Sequence, residues 1–223
     1  MRLKMSQLSN NFNRFYKARF VESPNFTITE IEENASLKRL DVFYPNRFYV
    51  EVPQNKSILK RIWDKVHSQN KDCDGVAILG EGDEAKYLLL AELKSKLKDK
   101  ELKKALVQIV ISYLKMHSLF SLCKGYNSPL MLEGIIACSD DSALYSKEYS
   151  EKITEEPQFE ESKLYSSLIA KRQINCELSG LITEFELDLD GLNDSILNTP
   201  VSIYLTSPNA GAEGKEHKFT LNL

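Results

Sequence analysis

Three side chains in this chain of 223 residues have types and spacing that could do chemistry together: Asp74, Glu92 and Lys94. Two carboxylates brought to one place repel, by about 1 kcal/mol in water and by several more where water is partly excluded. Such a pair is most easily tolerated when a cation sits between its members. Carboxylate oxygens are hard ligands, so the expected ion is Mg²⁺, with Mn²⁺ as a substitute, and such ions keep waters for chemistry. Lys94 stands two residues beyond Glu92 and therefore shares its side of an extended strand.

The meeting of the three depends on two apolar runs, 75–79 and 87–93, split by the polar loop GEGDEAK. With that loop centred on Asp83, the runs pair as an antiparallel hairpin in which Leu79 faces Tyr87 and Asp74 faces Glu92. Directly opposed residues share a face, with Cβ atoms about 4.5–5.5 Å apart. Val76, Ile78, Leu88 and Leu90 line one face, and Ala77, Leu79, Leu89 and Ala91 the other, which marks strands covered on both sides. Before the hairpin, Ile58, Ile62 and Val66 are at helical spacing within 57–68. After it, Leu102, Leu106, Ile109, Tyr113 and Phe120 form the apolar stripe of a long helix over 99–120, followed by a buried strand over 130–138.

This arrangement resembles the PD-(D/E)xK nuclease superfamily. The matching residues are CDG, with Asp74, and AELKS, with Glu92 and Lys94, and the likeness runs from residue 57 to residue 138, less than half the chain. The resemblance implies an α+β (α/β) fold with a restriction-endonuclease-like core, a mixed central β-sheet flanked by helices, here with a β-rich C-terminal extension. It implies Asp74, Glu92 and Lys94 as catalytic residues, with the metal held by Asp74, Glu92 and the backbone carbonyl of Leu93. Lys94 would orient the attacking water and stabilise charge on the phosphate. The implied reaction is divalent-metal-dependent hydrolysis of phosphodiester bonds, expected in DNA during restriction, repair or defence against mobile DNA. A catalytically inactive nuclease-like fold serving as a binding or assembly module is the alternative.

The chain departs from the family pattern in several places. Cys73, not proline, precedes Asp74. The first helix offers Asp64, with Glu51 shortly before it, where the family often has a glutamate. One strand, not two, stands clearly between that helix and the Glu92 strand, and the stretch 37–44 is the candidate to complete the sheet. The family's QxxxY motif has a near counterpart in Gln108 and Tyr113, one residue too far apart, and Tyr113 reads as core because it lies on the apolar stripe. The residues also admit a plainer reading. Asp74 is then a turn residue, and Glu92 and Lys94 end a strand, with Asp72 opposite Lys94 as an ion pair.

Lys96, Lys98, Lys100, Lys103 and Lys104 follow the second run directly. They read as a solvated loop and helix start, or, beside a metal, as phosphate contacts. Lys96, Lys98, Lys103, Lys104 and Gln108 are the candidate substrate-binding residues. The net charge of −3 and pI near 5.8 exclude a general polyanion binder, so nucleic acid must be met by a local patch. Cys73, Cys123, Cys138 and Cys176 are scattered without a CxxC pair, and His67, His117 and His217 are equally dispersed, which argues against zinc.

The expected compartment is the reducing cytoplasm, with no membrane association, since there is no spanning apolar run and no signal-peptide core. The first 21 residues hold Arg2, Lys4, Arg14, Lys17 and Arg19 but no acid, and read as an N-terminal arm or helix in preference to a transit peptide. Three segments result. Residues 1–52 carry the arm and strands at 26–31, 37–44 and 48–52. Residues 53–172 form the core with a helical extension at 142–171, broken at Pro157, whose acidic stretch 148–161 reads as a solvated helix face. Residues 173–223 are β-rich, with strands at 176–187, 201–205 and 218–223, and offer a surface for a second copy or a protein partner.

Overall fold

The computed structural model describes residues 4–8, 10, 18–30, 35–46, 48–53, 72–140, 162–184, 191–208 and 215–223. The expected helix at 57–68, with Asp64, lies outside them, as does 142–161. The strands are β1 (Ala18–Ser23), β2 (Phe26–Thr29), β3 (Arg39–Phe43), β4 (Phe48–Pro53), β5 (Gly75–Glu81), β6 (Glu84–Lys94), β7 (Met131–Cys138), β8 (Gln173–Glu177), β9 (Pro200–Thr206) and β10 (Glu216–Thr220). The helices are α1 (Asp99–Phe120), α2 (Ser162–Lys171), α3 (Leu178–Glu184) and α4 (Asp194–Leu197).

Seven strands form one mixed sheet in the order β1-β4-β5-β6-β7-β9-β8, and β10-β3-β2 form a second. From β1 to β6 the main sheet is antiparallel; β6, β7 and β9 are parallel; β8 closes the far edge antiparallel to β9. Parallel neighbours need a crossover, and α1 supplies it between β6 and β7.

From Tyr87 on, even-numbered residues of β6 face the helices, where Leu88 and Leu90 join Leu102, Leu106, Ile109, Tyr113 and Phe120 of α1 in one core. Odd-numbered residues face the small sheet, where Leu89, Ala91 and Leu93 pack with Phe26, Ile28, Leu40 and Val42. The doubly apolar runs are therefore covered on both sides, by helices on one and by a sheet on the other. The whole stripe expected on α1 is buried, Tyr113 included, and the Tyr113 hydroxyl donates to the Leu130 carbonyl (2.7 Å).

The hairpin register is the expected one: Leu79 pairs with Tyr87 and Gly75 with Ala91. The turn is tighter than the polar loop suggested. The register shifts between Leu79 and Gly80, and Gly82 turns the chain at φ 59°. Only glycine fits at position 80, because a Cβ there would lie 1.8 Å from the Glu84 carbonyl oxygen.

Three expectations need correction. The strand at 37–44, observed as β3, does not complete the main sheet; it sits in the small sheet between β2 and β10, and β4 pairs with β5 instead. Phe48 and Val50 of β4 join the small-sheet core while Tyr49 packs on the helix side, so this strand satisfies both layers. The run 176–187 is not one strand. β8 ends at Glu177 and α3 follows, because Leu178, Leu181 and Ile182 at helical spacing pack into the helix-side core. The basic N-terminal stretch is helical at residues 5–8, as the helix reading has it, but it is strand from Ala18, with Phe20 buried against that same core. Strands from all three sequence segments meet in the one large sheet. No helix of the described residues is long and apolar enough to cross a membrane.

Candidate metal and hydrolysis site

Asp74 lies one residue before β5, and Glu92 and Lys94 lie at the end of β6, so the hairpin register brings all three to the same end of the sheet. Asp74 Oδ2 accepts the Leu93 backbone N–H (2.8 Å), which ties the carboxylate to the neighbouring strand just past the Gly75–Ala91 pair. Glu92, two residues on from Leu90, turns to the helix side and is 2% exposed, whereas Asp74 is exposed. The cluster thus has one carboxylate in the protein and one at the solvent rim.

Lys94 Nζ is ion-paired with Glu92 Oε1 and donates to Gln108 Oε1 of α1 (3.2 Å). The second glutamate oxygen, Oε2, is buried with no hydrogen-bond partner. Burial first, and the Asp74 charge next, push the Glu92 carboxyl up from the ordinary 4.5 to about 7; the Lys94 charge and hydrogen bonds from Lys94 and Gln108 act in the opposite direction. A buried oxygen without a partner costs about 1–3 kcal/mol, more when charged. A divalent ion beside Glu92 and Asp74 would remove that cost and the repulsion together. Among the described residues no three His, Cys, Asp or Glu side chains gather to hold a metal, so the side-chain donors this cluster could offer an ion are its two carboxylates.

Asp72 does not pair with Lys94. Its carboxylate is ion-paired with Lys115 of α1, and its backbone carbonyl accepts from Gln108 Nε2 (3.3 Å). Ser112 Oγ accepts the Cys73 N–H (3.0 Å). Gln108 therefore joins the site, reaching both Lys94 and Asp72, while Tyr113 stays in the core. Asp72, Ser112 and Lys115 were not legible as site residues. The signal available was the spacing of Gln108, Ser112 and Lys115, at i, i+4 and i+7 on one helix face, beside the apolar stripe.

Lys96, Lys98, Lys103 and Lys104 are exposed on the turn and first helical turns that follow β6. Lys98 is the N-cap of α1 and makes no side-chain cap hydrogen bond. A small cleft of about 150 Å³ opens between β2 and the approach to β5, lined by Thr27, Thr29, Glu51, Cys73 and Asp74 among others. A wider groove of about 720 Å³, around Tyr87, Tyr126 and Met131, lies at the opposite end of β6, and none of Asp74, Glu92 and Lys94 lines it. No protein-family model matches the chain, and no curated protein or solved structure matches it.

Proposed function

We propose that the chain is a divalent-metal-dependent phosphodiester hydrolase of the PD-(D/E)xK type, acting on DNA. The observation that carries this reading is the buried, unpartnered Oε2 of Glu92 beside the Asp74 carboxylate. Support also comes from the order of elements around it: antiparallel β4, β5 and β6, a helix, then β7 parallel to β6. A restriction-endonuclease-like core would have this order, with Asp74 at the entry to β5 and Glu92 and Lys94 at the end of β6.

Asp74 and Glu92 would hold Mg²⁺ or Mn²⁺, with the Leu93 carbonyl as a third protein donor. The bound ion supplies Lewis acidity and lowers the pKa of water. The chain's own residues do the rest. Glu92 is held by Lys94, and Lys94 is held by Gln108, so the ammonium is fixed in direction where a phosphate oxygen would gain charge. The exposed lysines 96, 98, 103 and 104 follow the site in sequence and supply the local positive patch that the acidic chain as a whole lacks.

The test is cleavage of plasmid, single-stranded DNA and RNA in Mg²⁺, Mn²⁺ or EDTA, with Lys94→Ala and Glu92→Ala alongside. Metal-dependent cleavage by the wild type that falls by about 100-fold or more in either variant is expected. Equal activity in all three proteins would sink the assignment. Metal binding without cleavage of any substrate would favour the binding-module alternative.

A further inference from the structure

The helix α1 carries a buried polar stripe of Gln108, Ser112 and Lys115, exposed by 6%, 0% and 7%. All three side chains engage the same two residues of the chain approaching β5. Gln108 donates to the Asp72 carbonyl, Ser112 accepts the Cys73 N–H, and Lys115 is ion-paired with the Asp72 carboxylate. The Asp72–Lys115 pair is deeply buried, with side-chain exposures of 4% and 8%. A buried ion pair gains little stability over an apolar pair of similar volume, because both charges lose their hydration. What it does provide is direction, since a charged pair in a dry place tolerates few geometries.

The residue after Cys73 is Asp74. Asp72 and Asp74 are two apart, and with Lys115 fastening the first, the second is delivered beside Leu93 and Glu92, where its Oδ2 meets the Leu93 N–H. The same helix reaches the other half of the cluster through Gln108 and Lys94. One helix of 22 residues thus holds both the approach to β5, which carries Asp74, and the end of β6, which carries Glu92.

We propose that Lys115, through Asp72, and Ser112, through Cys73, are positioning residues that set the separation of Asp74 and Glu92 and so the affinity of the site for a divalent ion. Neither touches the ion. The inference rests on the metal-site reading above and deepens it.

The experiment is Mn²⁺ titration, read by the electron paramagnetic resonance of the free ion, with melting in EDTA measured in parallel. The proteins are the wild type, Lys115→Met, Lys115→Met/Asp72→Leu and Ser112→Ala. Removing a partner of this kind is expected to weaken metal binding by about 10–100-fold. In the double variant no charge is left unpaired, so its Tm should return to near the wild-type value while its Mn²⁺ affinity stays at least about 10-fold weaker. That split separates positioning from stability.

A double variant that folds and binds Mn²⁺ within about twofold of the wild type would overturn the proposal. Ser112→Ala, a minimal change expected to fold, serves if the double variant does not: weakened binding supports positioning, and wild-type affinity overturns it. A wild type that binds no Mn²⁺ would refute the metal site itself, and the inference with it.

Discussion

Replacing Glu92 by glutamine should remove a pH effect on stability. In the unfolded chain this carboxyl titrates near 4.5; in the folded, metal-free protein it titrates near 7. Between those values the folded protein holds a proton that the unfolded chain has released, so stability falls as pH rises from 4.5 and levels off above 7. That interval corresponds to roughly 3 kcal/mol. The amide of the Glu92→Gln variant does not ionise, so the variant escapes the loss. That amide needs partners in the same buried place, at a cost of about 1–3 kcal/mol, but the cost does not change with pH.

The quantity to measure is therefore the difference in unfolding free energy between variant and wild type, by urea denaturation in EDTA at pH 5 and pH 8. It should move in favour of the variant by roughly 2.5 kcal/mol from pH 5 to pH 8. At pH 8, Mg²⁺ at a hundred times its Kd should add about 2.7 kcal/mol to the wild type and little to the variant. A difference that is the same at both pH values would refute the reasoning, since Glu92 would then not be a buried, repelled carboxylate. Stabilisation of both proteins alike by Mg²⁺ would place the ion elsewhere.

Two further outcomes follow from burial and close contact elsewhere in the sheet. Glu133 on β7 is 4% exposed with its Oε2 unpartnered, and burial pushes it up to about 7 against hydrogen bonds from Tyr204 and Ser202. Glu133→Gln should also gain roughly 2.5 kcal/mol relative to wild type between pH 5 and pH 8, but with no dependence on Mg²⁺, and a Mg²⁺-dependent difference would tie Glu133 to a bound ion. Gly80→Ala should cost about 2–4 kcal/mol in urea denaturation, because the added Cβ would lie 1.8 Å from the Glu84 carbonyl oxygen and the hairpin must open; a cost under about 0.5 kcal/mol would refute that.

The cluster was legible because its geometry is local. Two apolar runs of period two, joined by a short polar turn, have one register that buries both faces, and that register carries Asp74, Glu92 and Lys94 with it. The α1 stripe was legible for the same reason, since helical spacing alone assigns its face. What the sequence left open was every choice between distant segments. Nothing local tells 37–44 from 48–53 as the partner of β5, because both are short apolar strands and the decision belongs to the layers that cover them. The run after Cys176 was ambiguous between strand and helix until the packing of Leu178 and Leu181 decided it. Lys115 lies 43 residues from Asp72, and on an isolated helix it would pass for a solvated lysine. Only packing α1 against the sheet removes the water around that lysine, and it is the loss of water that makes the Asp72 carboxylate its required partner.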